Sequence, residues 1–166
     1  MRKKTLQHIQ EQLKISYSSF ADEFDVTRQK PWEEFRHFLA YVRHGAQVLD
    51  LGCGNGRLYG ALESRAVEYL GIDHNSKLLD LARAHYPKAR FELADLIDLR
   101  LPEEAFDAAF CIASFHHIPG KAARRRLVST IHDALKPDGV LVLTVWNLFH
   151  WKYFGAIVRA AFSCLL

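Results

Sequence analysis

The stretch Val48-Leu49-Asp50-Leu51-Gly52-Cys53-Gly54-Asn55-Gly56-Arg57-Leu58 constrains this chain more than any other. A short apolar run ends on an acid and opens into three glycines at alternate positions. Apolar residues then resume at helical spacing with Leu58 and Leu62. That is a strand, a tight loop and a helix. In α/β sheets ligands bind at the carboxyl ends of the strands, and glycines there let the backbone approach them closely. The loop reads GxGxG rather than GxGxxG and lacks the Lys-Ser/Thr of a phosphate loop, so nothing in it would cradle a triphosphate. The plain alternative is a tight turn that binds nothing.

The chain continues in alternation. Gln47–Leu51 is the first expected strand and Tyr69–Asp73 the second. Ser76 can cap a helix carrying Leu78, Leu79, Leu81 and Ala82, which stops near Pro87. Arg90–Ala94 and Phe106–Ala113 read as the third and fourth strands. Leu127, Val128, Ile131 and Leu135 line one face of the next helix. In Pro137-Asp138-Gly139, Pro fixes φ and Gly can supply a positive φ, before a fifth strand over Val140–Trp146. Strands alternating with helices predict a Rossmann-like, doubly wound sheet of about five parallel strands, with helices on both faces. Upstream, Leu6, Ile9 and Leu13 recur at helical spacing. Pro31 suits the first turn of a helix whose stripe is Trp32, Phe35, Phe38, Leu39 and Val42, and Gly45 can end it. Two units follow: residues 1–45, a helical cap on the substrate side, and residues 46–166, the core.

Three acids close successive strands. Asp50 precedes the glycine loop. Asp73 falls about 20 residues beyond it, where a carboxylate can accept both ribose hydroxyls of a nucleoside cofactor, or simply cap a helix. Asp95 follows the third strand and can accept from an exocyclic amine such as that of adenine, with Leu96 and Ile97 flanking the ring. Asp98 is its rival. His116 and His117 follow the fourth strand on the same side. They can act as a base, donate to an acceptor anion, or serve as hydrogen-bonded wall residues.

Together, Asp-x-Gly-Cys-Gly-x-Gly, Asp73, Ala-Asp95-Leu, Phe106-Asp107-Ala and Leu135-Lys-Pro-Asp-Gly139 resemble class I S-adenosylmethionine (SAM)-dependent methyltransferases over residues 46–147. That resemblance implies SAM as cofactor, held by Asp50, Gly52, Gly54, Asn55, Asp73, Asp95, Leu96 and Ile112. A narrower set is similar to the tRNA wobble-uridine carboxymethyl-ester methyltransferases over residues 17–147. It comprises Tyr17-x-x-Phe-Ala-x-x-Phe, Thr27-Arg-x-Lys-Pro-Trp32, Cys111-Ile-Ala-x-x-His-His117 and Val145-Trp146. It implies esterification of a carboxymethyl group on C5 of uridine 34 and, in eukaryotic members, a small zinc-binding activator subunit; the unpaired cysteines and the lack of a secretory leader lead to the expectation of a cytoplasmic location. Arg28, His116 and His117 are the candidate catalytic residues, and Arg28, Lys30 and Trp32 the candidate substrate contacts. Arg28 and Lys30 can grip a carboxylate or phosphate, or be solvated. Trp32 can stack on a base or sit in the helix core. A small-molecule O- or N-methyltransferase and a non-catalytic SAM-binding remnant share this core and stay open.

Composition narrows the partners. In 166 residues, 49% are hydrophobic, 25% are charged and the net charge is +3. That permits a nucleic acid without demanding one. Arg124-Arg125-Arg126 is a basic block, or simply a solvated helix face. Cys53, Cys111 and Cys164 are widely spaced with no CxxC pair, which argues for free thiols and no metal site. The N-terminal segment lacks the apolar run of a secretory leader, and the apolar stretch from Phe154 is too short to span a membrane. The family continues past its fifth strand with a helix and an antiparallel strand pair. This sequence ends at Leu166 within the expected helix, so an unpaired sheet edge is expected, with self-association or a partner.

Overall fold

The computed structural model describes residues 35–146. They form β1 (Gln47–Leu51), β2 (Glu68–Asp73), β3 (Arg90–Leu93), β4 (Phe106–Ile112) and β5 (Leu135–Thr144), with helices α1 (Phe35–Leu39), α2 (Arg57–Leu62), α3 (Ser76–His85) and α4 (Lys121–Ala134). The strands make one parallel sheet in the order β3-β2-β1-β4-β5. The chain winds outward from β1 to β3, then returns to the other side for β4 and β5. The order therefore reverses between β1 and β4, where doubly wound sheets hold ligands.

Alternation along the strands builds two cores. Val48, Tyr69, Phe91, Ala108 and Phe110 face Phe35, Leu58, Leu62, Leu79 and Ala82 from α1, α2 and α3. Leu49, Leu51, Ile72, Ala109 and Cys111 face Leu127, Ile131 and Ala134 of α4. The expected doubly wound sheet with helices on both faces is what forms.

Several local expectations are corrected. Asn75, not Ser76, caps α3, because its side-chain oxygen accepts from Lys77 N and Leu78 N while Ser76 is already helical. Val128 is exposed, since it lies one residue off the Leu127–Ile131 stripe. β3 ends at Leu93 and β4 at Ile112, where Ala113 takes φ 52°. β5 starts at Leu135 directly after α4. Leu135 pairs with Phe106 but Val140 with Ala108, so the intervening turn bulges out of register. In that turn Asp138, not Gly139, has the positive φ of 64°. Gly139 is needed for close approach, because a Cβ there would lie 2.8 Å from the Lys136 carbonyl oxygen. α1 ends at Leu39, and Gly45 instead turns the chain into β1 with φ 72°. Residues 1–34 and 147–166 lie outside the described residues.

Among the described residues β5 pairs only with β4. β5 ends at Thr144, two residues short of the expected Trp146; Leu143 on it and Val145 and Trp146 just beyond it are exposed. Among the described residues this is the unpaired edge that was expected, and the strand is at most half-buried.

Candidate cofactor site

The glycine loop leaves β1 and hooks onto β2, with Gly52 N and Cys53 N both donating to the Ile72 carbonyl, at 2.7 and 3.1 Å. Gly52 has φ 77°, and a Cβ on it would stand 2.4 Å from the Ser114 Cβ. Only glycine satisfies both the backbone and the space. The reason lies in the loop after β4. Ala113 sits at a left-handed φ, held by its N–H on Thr144, and this turns Ser114 back toward β1. Ser114 Oγ donates to the Leu51 carbonyl at 2.6 Å. The two loops bracketing the reversal point are thus packed on each other.

Asp73 is buried and ties the site together. Its Oδ2 accepts from Gly54 N and its Oδ1 from Asn75 N, each at 2.9 Å. His74 Nδ1 lies 3.5 Å from Oδ1. A carboxylate oxygen has two lone pairs, so each retains capacity for a ligand hydroxyl. Asn75 is also buried, and its Nδ2 has no hydrogen-bond partner among the described residues. A buried donor of this kind beside Asp73 is one that a bound polar ligand can satisfy.

Asp50 lies at the end of β1 on the same face as Asp73. It is fully enclosed and accepts from Tyr69 Oη at 2.6 Å. Burial pushes its carboxyl up to about 7, with the nearby Asp73 adding to this, while the Tyr69 hydrogen bond and Arg57 oppose it. Two enclosed acids at a glycine loop favour a cation over a pyrophosphate. The residues therefore fit a nucleoside cofactor that carries positive charge.

Asp95 is partly buried after β3, its Oδ1 accepting from Ile97 N at 3.1 Å, whereas Asp98 is exposed. Leu96 is packed in the α4-side core, which leaves it little surface to offer a ring. Asn55 is buried in the loop, and Ile112 is half-buried at the end of β4. His116 and His117 form a single 3-10 turn after β4, their ring centroids 4.1 Å apart. His116 lies 6.0 Å from the Trp146 ring. Burial pushes His117 down to about 4, with His116 and His74 adding to the effect. Burial and Arg124 also lower His116. Both shifts disfavour the charged imidazolium. Arg28, Lys30 and Trp32 lie outside the described residues. Three residues escaped the sequence reading: Tyr69, Asn75 and Ser114. Asn75 was within reach, since an Asx two positions past a strand-end acid and before an apolar helix is a cap signal. Among the described residues no group of three or more His, Cys, Asp or Glu could hold a metal ion, and no helix is long and apolar enough to cross a membrane.

Residues 48–139 match the family described as "Methyltransferase domain". The chain is 31% identical over 130 residues to a tRNA (carboxymethyluridine(34)-5-O)-methyltransferase of Arabidopsis thaliana, covering 78% of this chain and 31% of that protein. It is 30% identical over 139 residues to the Saccharomyces cerevisiae protein of the same name, covering 84% and 49%. The chain thus spans a third to a half of the length of these relatives. Among solved structures it superposes on an S-adenosylmethionine-dependent methyltransferase from Mesorhizobium loti with a TM-score of 0.60 and 33% identity, covering 68% of this chain and 53% of that one.

Proposed function

Because the chain belongs to the methyltransferase domain family, whose cofactor is SAM, we propose that it transfers the SAM methyl group to the carboxymethyl group of a tRNA wobble uridine. The observation that carries this reading is the pair of relatives named for that reaction, at 30% and 31% identity across most of this chain. When bound, SAM supplies an activated sulfonium methyl for in-line displacement, a reaction governed by positioning.

The chain's residues supply that positioning. Asp73 accepts the ribose hydroxyls, Asp95 the adenine amine, and Gly52, Gly54 and Asn55 shape the wall. A carboxylate acceptor, with an ordinary pKa of about 4, is already a nucleophile at pH 7. It needs no general base, which agrees with His116 and His117 serving as neutral donors or wall groups rather than as proton acceptors. The polyanion has a surface to meet. Lys121, Arg124, Arg125 and Arg126 are exposed on the first turns of α4, which carry no acid. Arg124 is pinned beside the histidine loop by its Nε donating to the Ile118 carbonyl at 2.8 Å. Arg28, Lys30 and Trp32, on the N-terminal segment, are proposed to complete the acceptor site. An activator subunit or a second copy belongs to the same proposal.

The test is methyl transfer from labelled SAM to tRNA lacking this ester, run beside a metabolite pool. Label in the wobble nucleoside, lost on mild alkaline hydrolysis, supports the reading. Label only in a small metabolite, or none anywhere, overturns it.

A further inference from the structure

Tyr69 stands two residues before Gly71, which pairs with Asp50 across β1 and β2. The strand's two-residue period puts Tyr69, Gly71, Asp50 and Asp73 on one face. A Cβ on Gly71 would lie 2.9 Å from the Tyr69 ring and 2.9 Å from Cys53 Sγ. Gly71 therefore leaves the space through which the Tyr69 ring leans to place its hydroxyl 2.6 Å from Asp50 Oδ2. Tyr59 and Phe91, with ring centroids 5.1 and 5.8 Å away, pack against that ring. This is a built pair: a buried acid, one fixed donor, and the glycine loop overhead.

SAM carries a sulfonium, an ammonium and a carboxylate, so its net charge is positive. After transfer the sulfonium is a thioether and the product S-adenosylhomocysteine is net neutral. We propose that Tyr69 is a positioning residue for the cofactor, holding Asp50 so that uptake of cationic SAM expels a proton from Asp50 and uptake of the neutral product does so far less. The inference rests on the SAM reading above. The balance is simple: the Asp50 carboxyl becomes a carboxylate, the proton goes to solvent, and the carboxylate keeps the Tyr69 hydrogen bond.

The groups facing Asp50 agree with this. Asp73 on β2 opposes its ionisation, and Arg57 at the start of α2 favours it. Cys53 in the loop and Cys111 on β4 are both held protonated by burial, as is Tyr69 itself. Among the described residues Asp73 and Arg57 are the charges that act on Asp50, so an added cation shifts its proton balance. With the carboxyl near 7 in the ligand-free protein, bound SAM lowers it. SAM affinity then rises with pH below 7 and levels off above it.

The experiment is calorimetric titration of the full chain with SAM and with S-adenosylhomocysteine between pH 5.5 and 8, in pairs of buffers that differ in ionisation enthalpy. SAM affinity should rise by up to about tenfold per pH unit below 7, the limit for one linked proton. Buffer-dependent heat should show proton release, and the product should show a shallower slope. Tyr69→Phe removes the bond that lowers the Asp50 carboxyl, so the break should move to higher pH. Asp50→Asn should abolish it. Histidine titrations would leave the break unmoved by Tyr69→Phe. The buffer comparison on the unaltered chain stands even if a variant fails to fold. Equal slopes for SAM and its product, no proton release, or a break that survives Asp50→Asn each overturn the proposal. If neither compound binds, the SAM reading itself has failed.

Discussion

Asp73→Ala separates what this carboxylate does for the fold from what it does for the cofactor. The side chain is buried and accepts from Gly54 N and Asn75 N, each at 2.9 Å. Its loss strands two N–H groups, at about 1–3 kcal/mol each when no partner replaces it. Water entering the vacated space recovers part of that, so a destabilisation of about 2–4 kcal/mol is expected. SAM affinity should fall separately. Hydrogen bonds to a charged acceptor contribute about 1.5–3 kcal/mol, which corresponds to a roughly 10- to 150-fold weaker Kd. Asp73→Asn keeps one acceptor oxygen and should lose less stability while still losing the charge. Urea unfolding reads the first effect and calorimetry the second. A destabilised Asp73→Ala variant with SAM affinity within twofold of the parent would show that Asp73 is only a structural tie, and the ribose assignment would fall.

Gly52→Ala forces a Cβ to 2.4 Å from the Ser114 Cβ at a left-handed φ. It should cost more than about 1 kcal/mol in thermal melts, and an unchanged melting temperature would refute the packed-loop description. At the other end of the sheet, Asp107 accepts from Gln47 N at 2.8 Å and pairs with Lys136 and Arg43 at 3.1 and 3.0 Å, which holds its carboxyl below the usual range. A carboxyl lowered in the folded state adds stability above its unfolded pKa of about 4, and that stability is lost as pH falls through the folded value. Acid-unfolding curves should therefore be less steep there in Asp107→Asn, and superposable curves would exclude the contribution. Among the described residues β5 has a single partner, and the exposed Leu143, Val145 and Trp146 on and beyond it should favour concentration-dependent association in light scattering. A monodisperse monomer with a concentration-independent melting temperature contradicts this.

Much of the architecture was legible because two periodicities are plain in the sequence. Val48, Leu49 and Leu51 reach opposite cores from one strand, and the glycine loop marks its end. The strand-end acids were found by spacing, and Asp50 and Asp73 do converge on the loop. What escaped was decided by three-dimensional packing. Nothing local to Tyr69 announces Asp50, since the contact depends on strand register and on Gly71 leaving room. Ser114 meets Gly52 only because the sheet order brings β4 beside β1. The bulge in β5 arises because Leu135 and Val140 both stay on β4 while the turn between them is extruded. Leu96 was read from adjacency to Asp95, but its neighbours are core residues of the α4 face.

The most direct test of the central claim is a set of titrations of the purified chain with SAM, S-adenosylhomocysteine, NAD and ATP under one condition. The enclosed Asp50 and Asp73 at a glycine loop without a phosphate-binding lysine predict saturable binding of SAM and its product, and none of the two phosphate-bearing ligands. Binding of NAD or ATP with SAM excluded would contradict the account.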